Sequence, residues 1–139
     1  MATTVSDVMT RDPETIEASE PVVEAARRMR DVDCGDVIVL DNGRVVGIVT
    51  DRDIAIRVVA ENKDPSTPVS EACSASDLQT VAPDTSLEQA VQLMRTHAVR
   101  RLPVVENDQA VGILSLGDIA IEQDENSALA DISAAAPDS

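Results

Sequence analysis

The chain has 139 residues, of which 43% are hydrophobic and none is aromatic. Its formal net charge of −15 opposes binding to nucleic-acid phosphates and to anionic membranes, and no aromatic ring is present to stack on a base. No apolar run approaches the roughly 18 residues that span a bilayer, and residues 1–6 lack a signal-peptide pattern. We therefore expect a folded cytoplasmic protein with reduced cysteines that binds neither nucleic acid nor membrane.

The first half of the sequence opens with a predicted strand and helix. Residues 14–17 are expected to form a short edge strand. A helix should begin after Ser19 and tolerate Pro21 in its first turn. Apolar residues then recur at helical spacing, namely Val22, Ala25, Ala26 and Met29.

A hairpin and a second helix are predicted next. Residues 37–40 and 45–49 are runs rich in β-branched residues, and the Asn42-Gly43 pair between them favours a two-residue turn because both residues tolerate positive φ. The helix is expected to start after Thr50. Residues 61–68 contain two prolines and are interpreted as a linker.

The second half of the sequence predicts the same order of elements. Residues 79–82 suggest an edge strand, and Thr85 with Glu88 has the spacing of a capping box at a helix start. Apolar residues then recur at helical spacing, namely Leu87, Ala90, Val91 and Met94. Two apolar runs joined by a polar turn predict another hairpin, in which Pro103 places its strand at an edge or at a strand beginning. A last helix should follow Ser115.

The two halves are copies of one unit, because matching residues recur 65 positions apart, as Gly47 and Gly112 do. A single copy of this size would have a marginal core, so the two are expected to pack against each other. We predict an α/β fold of two β-α-β-β-α repeats related by a pseudo-two-fold axis. The predicted boundaries are repeat 1 at 1–60, a linker at 61–68, repeat 2 at 69–123 and a flexible tail at 124–139.

Each copy carries the pattern Gly-h-h-(Ser/Thr)-x-x-Asp, where h is an apolar residue; it ends at Asp53 in the first copy and at Asp118 in the second. One interpretation is structural, since a hydroxyl and a carboxylate at this spacing cap a helix start. The other is functional, because a helix start beside a glycine suits an anion and an aspartate there can accept hydrogen bonds from ribose hydroxyls. The pattern alone leaves both interpretations open.

These motifs resemble tandem cystathionine-β-synthase (CBS) domains, the pair known as a Bateman module. The resemblance covers residues 5–123 and includes the Asp-Val-Met-Thr opening at residues 7–10, the run at residues 99–105 and the duplicated motif. The chain looks most like the short stand-alone pairs of actinobacteria. The resemblance implies two clefts between the repeats that often hold adenine nucleotides, and commonly a disc-shaped homodimer.

Carried over to this sequence, the resemblance implies two sets of ligand-binding residues. The first, the Asp53 cleft, would comprise Ile48, Thr50, Asp53, Thr80, Val99, Arg100 and Arg101. The second, the Asp118 cleft, would comprise Thr15, Cys34, Gly35, Asp36, Ile113, Ser115 and Asp118.

The two predicted clefts differ in charge. Arg100 and Arg101 suit a phosphate, and Arg52 can add a third guanidinium, whereas the first copy has Gly35 and Asp36 at the equivalent positions. A bound nucleotide is therefore expected to prefer the Asp53 cleft. The alternative is that one or both arginines only pair with nearby carboxylates.

We predict a non-catalytic, ligand-sensing regulatory module that acts on a still unknown protein. The candidate ligands are AMP, ADP and ATP, with no cofactor required and a homodimer as the assembly. The single histidine and two cysteines have no metal-binding spacing, so a metal site is not expected. The alternative function is a ligand-free interaction or dimerisation module in which both motifs are only helix caps.

Overall fold

The computed structural model describes residues 3–74 and 78–122. The first half contains α1 (Val5–Val8), β1 (Thr10–Arg11), β2 (Thr15–Glu17), α2 (Val22–Val32), β3 (Asp36–Asp41), β4 (Arg44–Thr50) and α3 (Asp51–Ile54), which continues as a π-helix over Ala55–Val59. The second half contains a 3₁₀ turn (Val69–Glu71), α4 (Leu87–His97), β5 (Arg101–Glu106), β6 (Gln109–Ser115) and a helix over 116–122, here α5. The predicted tail at 124–139 lies outside the described residues.

The apolar stripes predicted for α2 and α4 face the core. In α2 the buried residues include Ala25 and Met29, and in α4 they are Ala90 and Met94. The apolar spacing predicts the buried face correctly because residues three or four apart lie on one face of a helix. Pro21 is the N-cap of α2, one position before the first turn where it was expected.

The capping box predicted for α4 was wrong by one residue. Ser86 is the N-cap, and its side chain accepts a hydrogen bond from the Gln89 amide at 3.1 Å. Thr85 instead uses its hydroxyl to accept from the Ala82 amide at 3.0 Å. It therefore stabilises the turn that precedes the helix.

The strands form two three-stranded sheets, ordered β2-β3-β4 and β1-β6-β5. Both hairpin turns have two residues of positive φ, as the Asn42-Gly43 pair predicted; in the second hairpin they are Asn107 and Asp108. Strand β5 lies at a sheet edge, in agreement with Pro103. The strand predicted at residues 79–82 was wrong, since this segment makes a single parallel bridge between Val81 and Val104.

The opening segment of each half packs in the core of the other half. Val5 and Met9 lie in the second core with Leu102 and Leu114, and β1 pairs with β6. In the opposite direction, Val69, Ala72 and Cys73 lie in the first core with Val37 and Val49. A third cluster, formed by Ile38, Ile48 and Ile113, joins the two sheets. The two repeats thus share one connected interior.

Candidate functional site

A cavity of about 590 Å³ lies between the two repeats, where β4 meets α3. Six of the seven residues predicted for the Asp53 cleft line it: Ile48, Thr50, Asp53, Val99, Arg100 and Arg101. The remaining lining residues are Asp51, Arg52, Ser74 and Ala98. Its volume is within the range of small-molecule sites, about 300–1,000 Å³.

Equivalent backbone hydrogen bonds position both cleft regions. The Asp51 amide donates to the Gly35 carbonyl at 3.0 Å, and the Leu116 amide donates to the Arg100 carbonyl at 2.8 Å. These bonds hold the turn before β3 against the start of α3, and the turn before β5 against the start of α5. Each motif therefore faces a segment fixed by its own repeat.

Thr50 and Asp53 cap the start of α3 reciprocally. The Thr50 amide donates to Asp53 Oδ2 at 2.9 Å, and the Asp53 amide donates to Thr50 Oγ1 at 3.1 Å. Ser115 and Asp118 form the same pair of bonds, both at 3.0 Å. Both copies therefore have the hydrogen bonds that the capping interpretation predicts. These bonds leave Asp53 Oδ1 without a hydrogen bond within the part of the chain that the structure describes.

The two aspartates differ in their other partners. Thr10 Oγ1 lies 3.4 Å from each carboxylate oxygen of Asp118. Ser74 bridges to Ile48 much as Thr10 pairs with Ile113, but its side chain makes no hydrogen bond to Asp53 among residues 3–74 and 78–122. The Asp53 carboxylate is therefore the more available of the two for a ligand.

The three arginines of the cleft are held differently. Arg101 forms an ion pair with Asp36 across the boundary between the repeats, with 2.7 Å between Arg101 Nε and Asp36 Oδ2. Arg52 and Arg100 make no ion pair within the described ranges. Two guanidinium groups thus remain to meet an anion, while Arg101 already has a carboxylate partner.

Thr80 is the one residue of the predicted Asp53 set that does not line this cavity. It borders other cavities, beside Val81 and Val105 in one and beside Arg44 in another. The physical reason is that residues 78–80 form no strand and Thr80 lies beside the start of β4, at Arg44, whereas the Asp53 cleft lies at the other end of β4, at Thr50.

The residues predicted for the Asp118 cleft are less well assembled. Of the seven, Ser115 alone lines the cavity of about 460 Å³ on that side, which Arg100 and Arg101 also border. Thr15 is the first residue of β2, Cys34 to Asp36 lead into β3, and Ile113 is in β6 beneath the sheet interface. Asp36 is turned toward Arg101 and Asp118 toward Thr10, so this side presents carboxylates that already have partners.

Burial raises the pKa of Asp36, and Arg101 opposes that rise while the nearby Asp118 and Asp51 carboxylates add to it. Burial likewise raises the pKa of the Cys34 thiol, whose Sγ donates to the Asp36 carbonyl at 3.4 Å. A thiol kept protonated is a poor nucleophile and metal ligand. Cys34 is therefore a small packing residue at the entrance to β3.

A larger cavity of about 900 Å³ lies within the second repeat, between α4 and residues 80–86. Its lining is neutral except for Glu88, and it brings together no residues of the duplicated motif. Size alone would favour it. The Asp53 cleft is the better candidate because it contains both cations and carboxylates at a junction of the repeats.

Four lining residues of the Asp53 cleft were not in the predicted set, although Arg52 was named as a further cation. Asp51 lies inside the motif and was passed over as a variable position. Ser74 was missed because the opening segments are offset by 64 residues, as the pairs Thr10–Ile113 and Ser74–Ile48 show, whereas the rest of the repeat is offset by 65. A separate alignment of those segments would have found it.

Within residues 3–74 and 78–122, no group of three or more His, Cys, Asp or Glu side chains is arranged to hold a metal ion. Among the same residues, no helix has the length and apolarity needed to cross a bilayer.

Two similar repeats that exchange their opening segments and enclose a cleft between them define a tandem regulatory module. The chain belongs to the CBS domain family, which it matches twice, over residues 5–60 and 69–125. Proteins of this family are ligand-sensing regulatory modules.

Three similar proteins place the chain within this family. The CBS domain-containing protein YhcV of Bacillus subtilis is 43% identical over 133 residues, which cover 93% of this chain and 94% of that protein. The CBS domain pair of protein MJ0100, in complex with 5'-methylthioadenosine and S-adenosyl-L-methionine, has 25% identity and a TM-score of 0.81 over 91% of this chain and 99% of that one. Hypoxic Response Protein I, solved with two coordinated zinc ions, has 33% identity and a TM-score of 0.76 over 86% and 98%.

Proposed function

We propose that this protein is a non-catalytic sensor that binds an adenine nucleotide, AMP, ADP or ATP, in the Asp53 cleft. The observation that carries the proposal is the Asp53 carboxylate, whose Oδ1 accepts no hydrogen bond from the described residues and which lies in a cleft that also holds Arg52 and Arg100. A carboxylate can accept hydrogen bonds from both ribose hydroxyls, and guanidinium groups bind phosphate oxygens in bidentate fashion.

The charge of the cleft favours phosphates over a cationic adenosine ligand. One relative holds 5'-methylthioadenosine and S-adenosyl-L-methionine, so the adenosine group fits a fold of this kind. In this chain the arginines would attract a phosphate and repel a sulfonium. AMP, ADP and ATP are therefore the candidates we rank above S-adenosylmethionine.

Signalling would follow from the position of the cleft. A ligand that contacts α3 of one repeat and the turn before β5 of the other stabilises one relative orientation of the two. Typical couplings of this kind are about 1–3 kcal/mol, enough to change affinity for a partner protein 5- to 150-fold. We further propose a homodimer formed through α3 and α5, whose exposed apolar residues include Ile56 and Ile121.

The alternative is a ligand-free interaction module. One observation favours it: both motif aspartates are fully explained as helix caps by their bonds to Thr50 and Ser115. A test must therefore separate capping from ligand binding.

Asp53→Asn makes this separation, because the asparagine Oδ1 can still accept from the Thr50 amide while the negative charge is lost. We expect a 10- to 100-fold loss of nucleotide affinity, about 1.5–3 kcal/mol for hydrogen bonds to a charged group, with the unfolding free energy unchanged within about 0.5 kcal/mol. Calorimetric titration and thermal unfolding followed by circular dichroism measure both quantities, since the chain has no Trp or Tyr.

Asp118→Asn is the matched control in the other motif and should change the affinity much less than Asp53→Asn does. The alternative function would be favoured if no adenine nucleotide binds the wild type. It would also be favoured if Asp53→Ala lowers stability by about 1 kcal/mol, the typical cost of a lost cap, without changing any binding signal.

A further inference from the structure

Arg101 and Asp36 occupy equivalent positions, the first residues of β5 and β3, and they bind each other across the two repeats. The 2.7 Å contact is partly buried, with 34% of the Arg101 side chain and 20% of the Asp36 side chain exposed. An internal repeat normally places identical groups at equivalent positions near a pseudo-two-fold axis. Here the two equivalent positions hold residues of opposite charge, Asp36 and Arg101, which attract each other.

The Arg101 guanidinium is shared between the two cleft regions. It lines the Asp53 cleft and also the cavity that contains Ser115. A Cβ built on Gly35 would lie 3.3 Å from Asp51 Oδ2 and 3.6 Å from Arg101 Nη2, so both groups crowd the turn before β3. Asp36 also feels the charge of Asp118. Arg101 thus pairs with Asp36 at a junction where the Asp51 and Asp118 carboxylates also lie close to Asp36.

We propose that Asp36 competes with the phosphate of a ligand for Arg101, so that filling the Asp53 cleft with an anion leaves Asp36 unpaired and excludes a second anion from the Asp118 cleft. This inference rests on the proposed function. It assigns different tasks to the two adjacent arginines. Arg100, which has no carboxylate partner among the described residues, attracts the phosphate. Arg101 leaves Asp36 when the phosphate binds and so changes the charge of the Asp118 cleft.

The direction of the effect follows from charge. When Arg101 turns to a phosphate, Asp36 loses its nearest cation and stays close to Asp118 and Asp51. The Asp118 cleft then becomes more negative, and a second phosphate there is opposed by like charges. A single anionic ligand per chain is the expected stoichiometry.

The test is the isosteric variant Asp36→Asn, titrated with ATP, with adenosine and with inorganic tripolyphosphate. Removal of the competing charge should strengthen ATP and tripolyphosphate binding about 3- to 10-fold, because a neutral asparagine holds Arg101 more weakly than a carboxylate does. Adenosine, which has no phosphate, should bind unchanged. Asp31→Asn is the matched control, because Asp31 is an exposed carboxylate paired with Arg30 and its loss changes the net charge equally.

A second measurement needs no variant at Asp36. In ¹⁵N-labelled wild-type protein, the Arg101 Nε–H resonance, assigned through Arg101→Lys, should shift when tripolyphosphate binds, because the ionic partner of the guanidinium changes from carboxylate to phosphate. A resonance that stays in place while the ligand is bound overturns the proposal.

The remaining outcomes separate the two proposals. Equal gains for Asp36→Asn and Asp31→Asn would reduce the effect to net charge and overturn the competition. Tripolyphosphate binding that responds to Asp36→Asn while no adenine compound binds would support the competition and contradict the proposed nucleotide ligand. Absence of binding by every probe to wild type and Asp36→Asn would overturn both.

Discussion

Gly112 lies in β6, opposite Arg11 of the paired strand β1. A Cβ there would approach Met9 Sδ to 2.5 Å and the Thr10 carbonyl oxygen to 2.9 Å, which is closer than van der Waals contact allows. The glycine is therefore required by the close approach of β1 to β6. Relief of the clash would need movement of backbone as well as of the flexible methionine.

We expect Gly112→Ala to lower the free energy of unfolding by about 1–3 kcal/mol, the usual cost of overpacking. Gly117→Ala is the control, since its Cβ would meet nothing closer than 3.6 Å in a helical stretch. That variant should gain about 0.4–1 kcal/mol because alanine has fewer unfolded conformations to lose. Urea unfolding followed by circular dichroism measures both, and equal stability of the two variants would contradict the close-approach argument.

The raised pKa of Asp36 also has a consequence for stability. A carboxyl group whose pKa is higher in the folded than in the unfolded state binds its proton more tightly when folded, so it opposes folding at neutral pH. As pH falls through the raised pKa, this penalty disappears. It stays absent below the ordinary pKa, where both states are protonated.

Asp36→Asn lacks this titration. The unfolding free energy of the variant minus that of the wild type should therefore fall as pH is lowered from 7 toward the ordinary carboxyl pKa. Urea unfolding at a series of pH values measures this difference. A difference that grows as pH falls would mean that pairing with Arg101 outweighs burial, and that the pKa of Asp36 is in fact depressed.

Among the elements, α1 shows how the exchanged segments contribute to stability. Val5 is fully buried in the second core, although it stands near the start of the first repeat. Val5→Ala should cost roughly 2–3 kcal/mol of unfolding free energy, from lost burial and the cavity left behind.

Val32→Ala, at the exposed end of α2, should change stability by less than about 0.5 kcal/mol. Chemical unfolding of both variants provides the comparison. If Val5→Ala were equally mild, the packing of α1 in the second core would be of little energetic importance.

The sequence predicted the local elements well because their signals are local. Helical spacing identified α2 and α4, the Asn42-Gly43 pair identified the first hairpin, and a polar turn between two apolar runs identified the second. The predicted strand at 79–82 failed because a short apolar segment pairs only if its neighbours in space allow it. The exchange of opening segments and the Arg101–Asp36 pair are contacts between distant parts of the chain, so no local pattern encodes them.

The candidate site was predictable to a similar degree. The duplicated motif singled out Thr50 and Asp53 by spacing, but their place in a ligand-binding set came only from the family resemblance. The different partners of Arg100 and Arg101 were not predictable, since they depend on which guanidinium reaches Asp36. Arg100 precedes β5 and Arg101 is its first residue, so their side chains point in different directions. The sequence does not show which of the two points toward Asp36.

For the whole molecule, charge and exposed apolar surface act against each other in assembly. The chain carries a net charge of −15, and Ile56 and Ile121, at equivalent positions in α3's π-helical continuation and in α5, are 48% and 58% exposed. If these helices form the homodimer interface, Ile121→Glu should convert the dimer to a monomer in sedimentation velocity. Val32→Glu, on α2, is the control that should leave the dimer intact.

Low ionic strength should weaken the same dimer, because repulsion between two like-charged chains is then less screened. A wild-type chain that sediments as a monomer at all salt concentrations would contradict the proposed assembly.

The exchanged opening segments hold the two halves together through contacts that do not involve the predicted linker at residues 61–68. Each half fills part of its partner's interior, with Val5 and Met9 in one direction and Val69 and Ala72 in the other. After a single protease cut in the predicted linker, the two fragments should remain associated and not separate into two free domains. By the same logic, one repeat on its own could complete its interior only by borrowing the leading segment of a second molecule, which is the geometry of a domain-swapped dimer.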